Sequence, residues 1–322
     1  MSTVLVTGIA GFAGSHLAER LVADGHEVWG LNRPGVSLEN IEAVRDQVHV
    51  LQCDVTDADA VRRGIDEAHP DLVFHLAALA WTFQSGARPR ENFDVNAAGT
   101  VNVLEALREE GSQARVLIPT TAEVYGGVRA DTLPLTEETP LHPRSPYAIS
   151  KVAVHFLIEY YAAAFVMQVI EARPFNHIGP RQGLGFVVPD FAHQLAEIAL
   201  GKRAPEVHVG DLDVQRDLLD VRDVVEAYLA LSKFGSPGEV YHICSGSPVS
   251  IRWVLDTLIE VSGIPVRVIV DPQKLRPHPV PVLYGSYEKL RRTCGWKATR
   301  PLSGTLSDVF RYWLERAGKK RR

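Results

Sequence analysis

Short apolar runs and longer amphipathic stretches alternate through the first half of the chain. The apolar runs are Val4–Thr7, Glu27–Leu31, His49–Gln52, Leu72–His75, Arg115–Pro119 and Val169–Arg173, each of strand length. Between them, Phe12–Asp24, Asp57–Ala68, Asn96–Glu110 and Tyr147–Phe165 carry apolar residues at helical spacing. Thr56 and Asp57 read as a helix start and Gly111 as a helix stop. This β-α-β alternation predicts an α/β fold, a doubly wound parallel sheet with right-handed crossovers. After Pro174 the texture changes: Pro, Gly and His become denser, and Glu206–Val209 and Val266–Val270 read as short strands. Glu239–Ile243 reads as a strand returning to the main sheet. The second half is therefore expected to be a smaller α/β lobe interleaved with the first.

At 322 residues the chain suits one large or two coupled domains around a sizeable core. Its 34 basic and 39 acidic residues leave a net charge of −5, which argues against a nucleic-acid surface or a polybasic membrane protein. Cys53, Cys244 and Cys294 are widely spaced and the 12 histidines are scattered. Neither a disulfide framework nor a metal site is expected, and a reducing cytoplasm fits. The chain opens on a strand without a signal-peptide layout, and no apolar run approaches the roughly 18 residues of a membrane span, so no membrane partner is expected. The basic end Lys319–Arg322 is assigned no function.

Val4-Leu5-Val6-Thr7 leads directly into Gly8-Ile9-Ala10-Gly11-Phe12-Ala13-Gly14. A glycine-rich turn from strand to helix brings backbone N–H groups and a helix N-terminus up to a pyrophosphate, so the sheet is expected to be Rossmann-like. Gly8 permits the tight turn, Gly11 a close approach to the ligand, and Gly14 close helix–strand packing. About 20 residues on, where NAD-binding chains place an acid for the ribose, stands Leu31-Asn32-Arg33. With no carboxylate there, and with a guanidinium able to pair with a 2′-phosphate, NADP(H) is favoured and NAD(H) is the alternative.

Farther along, Ser145-Pro146-Tyr147-Ala148-Ile149-Ser150-Lys151 sets a phenol and an ammonium on one helix face. A free tyrosine, with pKa about 10, is a poor acid–base group near neutrality. A neighbouring lysine and a nicotinamide cation would draw it toward the working range. The two motifs together resemble the extended short-chain dehydrogenase/reductase family, in its nucleotide-sugar-modifying branch.

That resemblance implies a catalytic set of Thr121, Glu123, Tyr147 and Lys151. Thr121 and Glu123 lie in Thr120-Thr121-Ala122-Glu123-Val124-Tyr125-Gly126. Dehydratases of the family use the glutamate of such a Thr-x-Glu to remove the C5 proton of a 4-keto sugar, and the 4-keto-sugar reductases tend to carry it too. The implied cofactor contacts are Gly8, Gly11, Phe12, Gly14, Asn32, Arg33, Asp54, Val55, Leu76, Ala77, Ala78, Tyr147 and Lys151. Asn96 matches a structural asparagine near the active site, and Asn176, Arg216 and Arg276 match contacts to the substrate's diphosphate and nucleotide. GDP-mannose 4,6-dehydratases read Asn-His-Glu-Ser-Pro-Arg-Arg-Gly where this chain has Asn176-His177-Ile178-Gly179-Pro180-Arg181-Gln182-Gly183. The run looks more like that of GDP-4-keto-6-deoxy-D-mannose reductases. The expectation is therefore NADPH-dependent reduction of the 4-keto group of a GDP-linked 6-deoxy sugar, with the dehydratase as nearest alternative and a nucleotide-sugar 4-epimerase third. Residues 1–174 would form the NADP-binding domain, rejoined by the strand at 239–243, and residues 175–322 mainly the substrate-binding lobe. Family members pair the helices Asn96–Glu110 and Tyr147–Phe165 across a two-fold axis, which implies a homodimer, or a tetramer built from it.

Overall fold

The computed structural model describes residues 1–80, 86–128, 130–275 and 280–319. Its strands, in chain order, are Thr3–Thr7 (β1), Glu27–Asn32 (β2), Val48–Gln52 (β3), Leu72–His75 (β4), Arg115–Pro119 (β5), Val169–Pro174 (β6), Asn176–Ile178 (β7), Glu206–Val209 (β8), Gln215–Asp220 (β9), Val240–Ile243 (β10), Pro248–Ser250 (β11), Arg267–Val270 (β12) and Val282–Leu283 (β13). Among the described residues, the main sheet runs β10-β6-β5-β4-β1-β2-β3 with every pairing parallel. The return of the 239–243 segment to this sheet, expected from its apolar pattern, is the β10–β6 pairing.

Period-two alternation decides which helix covers which face. Val4, Val6, Leu117 and Ile170 point to one cluster, built with the helices Phe12–Ala23 (α1) and Val221–Phe234. Leu5, Val73, Val116 and Ile118 point to the other, under Ala58–Ala68 (α2), Gly99–Glu109 and Pro146–Phe165. Val4, Leu5 and Val6 are wholly buried, and each such side chain contributes about 1.5–3 kcal/mol relative to exposure. Asp57 caps α2 through Ala60 N at 3.0 Å, and Gly111 takes φ +67 after the helix that ends at Glu109, as their residue types predicted.

The second half adds a different core. The helices Val187–Ala199, Ile251–Ser262 and Leu302–Lys319 bury Phe191, Leu195, Leu255, Leu306 and Trp313 together with Val207 and Val209 of β8. The strand candidates at 206–209 and 266–270 pair with each other, as β8 and β12. A small sheet that the apolar pattern did not signal forms around β9, flanked by β11 and β13 with β7 also pairing to it. Gln215, Arg216 and Asp217 make β9 too polar at its start to read as a strand, and its neighbours span only two or three residues.

One expectation needs correction. The helix Pro146–Phe165 is long and apolar enough, by length and composition alone, to cross a membrane. Its Ala, Val, Ile, Leu and Phe content raises its hydropathy, and one side packs on the sheet through Val154, Ile158 and Tyr161. The opposite side leaves Phe156, Tyr160 and Phe165 exposed.

Candidate active site

The strand order reverses at β1, which lies between β4 and β2, so the crevice at the carboxyl ends of β1 and β4 is the topological switch point of the sheet. The glycine-rich turn sits there. Gly8 takes φ +70, and a Cβ on it would meet Ala77 N at 3.0 Å. Its N–H donates to Leu31 O at 2.8 Å, and Gly11 N–H donates to Gly8 O at 2.9 Å, which closes the turn. A Cβ on Gly14 would stand 2.3 Å from Gly8 O, so only glycine lets α1 start so close to the strand end. Gly11 is exposed, leaving the helix N-terminus open to a phosphate.

Around this turn, Asn32 is buried and its Nδ2 donates to Val36 O at 3.1 Å, so its side chain shapes the loop after β2. Arg33 is exposed beside it. Asp54 accepts from Thr56 N at 3.0 Å and from Thr56 Oγ1 at 2.8 Å. Val55 is buried and its carbonyl accepts from Asn102 Nδ2 at 2.8 Å. Leu76, Ala77 and Ala78 follow β4 half-buried, and Ala77 N–H donates to Thr7 Oγ1 at 3.0 Å. The open helix N-terminus, the glycine-only cradle and an unacidic end of β2 beside Arg33 fit a dinucleotide carrying a 2′-phosphate.

A buried polar chain holds this floor in place. Thr7 Oγ1 lies 2.8 Å from His75 Nδ1, His75 Nε2 lies 3.1 Å from Thr100 Oγ1, and Thr100 Oγ1 donates to Asn96 O at 2.6 Å. Because the Thr100 hydroxyl proton goes to Asn96 O, His75 donates from Nε2 and accepts at Nδ1 from Thr7. Every member is then satisfied with a neutral imidazole, and burial together with the Lys151 ammonium lowers the His75 pKa to about 3. Asn96 lies in a π-turn, Asp94–Ala98, and bridges outward. Its Oδ1 accepts from Leu79 N at 2.8 Å, its Nδ2 donates to Ser150 Oγ at 2.9 Å, and Ser150 Oγ donates to Tyr147 O at 2.7 Å. Sequence reasoning placed Asn96 near the site but missed Thr7, His75, Thr100 and Ser150. The available signal was the presence of Thr and His at the ends of otherwise apolar strands.

Tyr147 and Lys151 stand on the first turns of the helix Pro146–Phe165, whose Ser145 cap accepts from Ala148 N at 3.1 Å. Both are buried, and Thr121, two residues beyond β5, hydrogen-bonds the Tyr147 side chain. Thr121 Oγ1 also accepts from Glu123 N at 3.2 Å. The four expected residues are thus assembled on two elements that meet over the carboxyl end of β5. Of the two cations expected to draw the phenol down, Lys151 does not do so here. Burial, and then the Glu123 carboxylate, push Tyr147 above its ordinary value, and only the Thr121 hydrogen bond pulls the other way. The Lys151 ammonium instead donates to Pro119 O at 2.8 Å; burial lowers its pKa to about 8, with the Glu171 carboxylate opposing. Glu171 is itself buried in an ion pair with Arg173 at 2.7 Å and accepts from His155 Nδ1 at 2.7 Å if that nitrogen is protonated.

On the substrate side, Asn176 is exposed on β7, whose partner β9 carries Arg216 two residues from the Asn176–Leu218 pair. Arg216 Nη1 donates to Gln215 O at 2.7 Å. Asp217 orders the adjoining loop by accepting from Ser245 N at 2.7 Å and Gly246 N at 3.0 Å. Arg276 lies outside the described residues. Within the run that follows Asn176, Ile178 is buried in the helical core, and a Cβ on Gly179 would meet Val221 Cγ1 at 2.5 Å.

A doubly wound sheet with a glycine-rich turn at its switch point and a Thr–Tyr–Lys group beside it defines an enzyme of the extended short-chain dehydrogenase/reductase kind. More narrowly, the chain belongs to the GDP-mannose 4,6-dehydratase family, whose sequence pattern matches residues 5–309. GDP-6-deoxy-D-mannose reductase of Pseudomonas aeruginosa is 34% identical over 313 residues, covering 97% of each chain. GDP-mannose 4,6-dehydratase of Sinorhizobium fredii is 29% identical over 323 residues, covering 91% of each. The structure of RMD from Pseudomonas aeruginosa complexed with NADPH superposes with a TM-score of 0.87 at 33% identity, covering 98% of this chain and 100% of the other.

Proposed function

We propose that this protein reduces the 4-keto group of GDP-4-keto-6-deoxy-D-mannose with NADPH. The observation that carries this reading is the turn after Asn176. A glutamate–serine pair at 178–179 would put a carboxylate into the packed helical core and a side chain against Val221. The turn is therefore built for the Ile-Gly form, and the similarity to the Pseudomonas reductase and to its NADPH complex points the same way. Residues 1–174 would hold the cofactor through Gly8, Gly11, Phe12, Gly14, Arg33, Asp54 and the 76–78 loop. Residues 175–322 would hold the sugar nucleotide through Asn176, Arg216 and Arg276.

When bound, NADPH supplies the hydride for the keto carbon. Tyr147, held protonated by burial, gives its proton to the keto oxygen, so one hydride and one proton complete the alcohol. Thr121 positions that oxygen through its hydroxyl. The Lys151 ammonium stabilises the phenolate left behind, and Asn96 and Ser150 fix the backbone from which Tyr147 projects. The exposed Phe156, Tyr160 and Phe165 support a homodimer formed through this helix and its neighbour Gly99–Glu109. The free cysteines Cys53, Cys244 and Cys294 fit the cytoplasm.

Glu123 supports a second reading. Its carboxylate acts on Tyr147 electrostatically and stands where a dehydratase needs its base. Incubation of the purified protein with GDP-mannose and NADP⁺, followed by chromatography of the sugar nucleotides, separates the two. The reductase leaves GDP-mannose unchanged, whereas accumulation of a 4-keto sugar would establish the dehydratase.

A further inference from the structure

The turn 177–182 is fastened at three points to the elements that shape the glycine-rich loop. The Phe12 and His177 rings stack at 5.6 Å between centroids and 8° between planes. His16 of α1 donates from Nε2 to Pro180 O at 3.0 Å, since a carbonyl can only accept. Arg181 makes the third fastening with both ends of its guanidinium. Nη2 donates to Glu19 of α1 at 2.7 Å, and Nη1 donates to Asn40 O at 3.0 Å. Asn40 in turn donates from Nδ2 to Ala10 O, also at 3.0 Å, inside the glycine-rich loop. Arg181 holds this position at φ +74, a backbone region in which only glycine is at ease. Gln182 passes the constraint inward, because its Nε2 donates to His177 O at 3.1 Å, one residue beyond Asn176. Arg181 thus bridges two elements with a planar fork held from an unfavoured backbone conformation.

We propose that Arg181 is a positioning residue that couples the two halves of the site, so that a dinucleotide ordering the glycine-rich loop also orders the strand presenting Asn176 to a nucleoside diphosphate. This rests on the proposed use of the two sites. Arg181 acts through Glu19, Asn40 and Ala10 on one side and through Gln182 and His177 on the other, and neither ligand need touch it. Linkage then requires each ligand to tighten the other by the same factor.

Two variants test the tether from opposite ends. Arg181→Gly removes the guanidinium while suiting the backbone, so it should fold, and Asn40→Ala cuts the link to Ala10 with Arg181 intact. Calorimetric titration with GDP should show at least about fivefold tighter binding to the wild type when NADP⁺ is saturating. In both variants that factor should fall by about half or more, the Phe12–His177 and His16–Pro180 fastenings remaining, with NADP⁺ affinity itself little changed; a merely structural loss would weaken GDP equally with and without NADP⁺. Amide hydrogen exchange after adding NADP⁺ alone should slow over residues 176–186 in the wild type and not in Arg181→Gly. Absence of that slowing in the wild type, or an undiminished coupling factor in the variants, would overturn the proposal. A wild type that shows the slowing but binds no GDP would overturn the nucleotide-sugar reading instead.

Discussion

Two side chains carry opposite burdens at the residue scale. Tyr147 is a phenol kept protonated by burial, which suits the donor in a reduction. Tyr147→Phe should lose about 10²–10⁴-fold in kcat while binding NADPH normally, since the phenol is not a main anchor for the cofactor. Fluorescence titration together with turnover measures both, and near-normal turnover would remove Tyr147 from the mechanism. Lys151 must stay charged to stabilise the phenolate, yet burial brings its pKa down to about 8. The charged form is present below that pH and lost above it. The rate should therefore fall as pH rises through about 8, and a profile flat to pH 10 would contradict the assignment. Arg33 is exposed next to the end of β2, so Arg33→Ala should narrow the preference for NADPH over NADH by about 1–3 kcal/mol, read by calorimetry.

The glycine-rich turn and the helix after it act as one unit at the scale of elements. With Gly8 O only 2.3 Å from where a Gly14 Cβ would lie, Gly14→Ala must push α1 off the strand end. The strain should cost about 1–3 kcal/mol of stability and weaken NADPH, visible as a lower melting temperature and a smaller upward shift on adding cofactor. The same elements show what the chain discloses to a reader of its sequence. Val4–Thr7 was legible because three consecutive apolar residues precede a glycine run, and Leu72–His75 and Arg115–Pro119 match their strands end to end. β9 was not legible, because its first three residues are polar and its partners are too short for a period to register. The proposed catalytic group was named from the Tyr-x-x-x-Lys spacing for Tyr147 and Lys151 and from the family resemblance for Thr121 and Glu123, but the polar chain through Thr7, His75 and Thr100 joins residues up to 68 positions apart, and no local pattern reports such a contact. The pull expected from Lys151 on the Tyr147 phenol was misjudged for the same reason: motif spacing puts a lysine on the same helix face, whereas burial and the Lys151–Pro119 bond belong to the assembled fold.

For the whole molecule, the exposed aromatic side of Pro146–Phe165 and the coupling across the crevice are the two features that reach beyond one site. Phe156 and Tyr160 are 57% and 56% exposed, costly for aromatic side chains unless a second copy covers them. Light scattering at micromolar concentration should report a dimer or a tetramer, and Phe156→Asp with Tyr160→Asp should give a monomer; a monomeric wild type would contradict the interface.

In the proposed reduction, hydride leaves the protein in its product. A dehydratase returns the hydride to the sugar within one turnover and keeps its cofactor, whereas a reductase consumes NADPH. Following NADPH absorbance while known amounts of GDP-4-keto-6-deoxy-D-mannose are added tests this most directly. NADPH should be lost one-for-one with the 4-keto sugar supplied. No loss of NADPH with that substrate, together with steady formation of 4-keto sugar from GDP-mannose and catalytic NADP⁺, would contradict it.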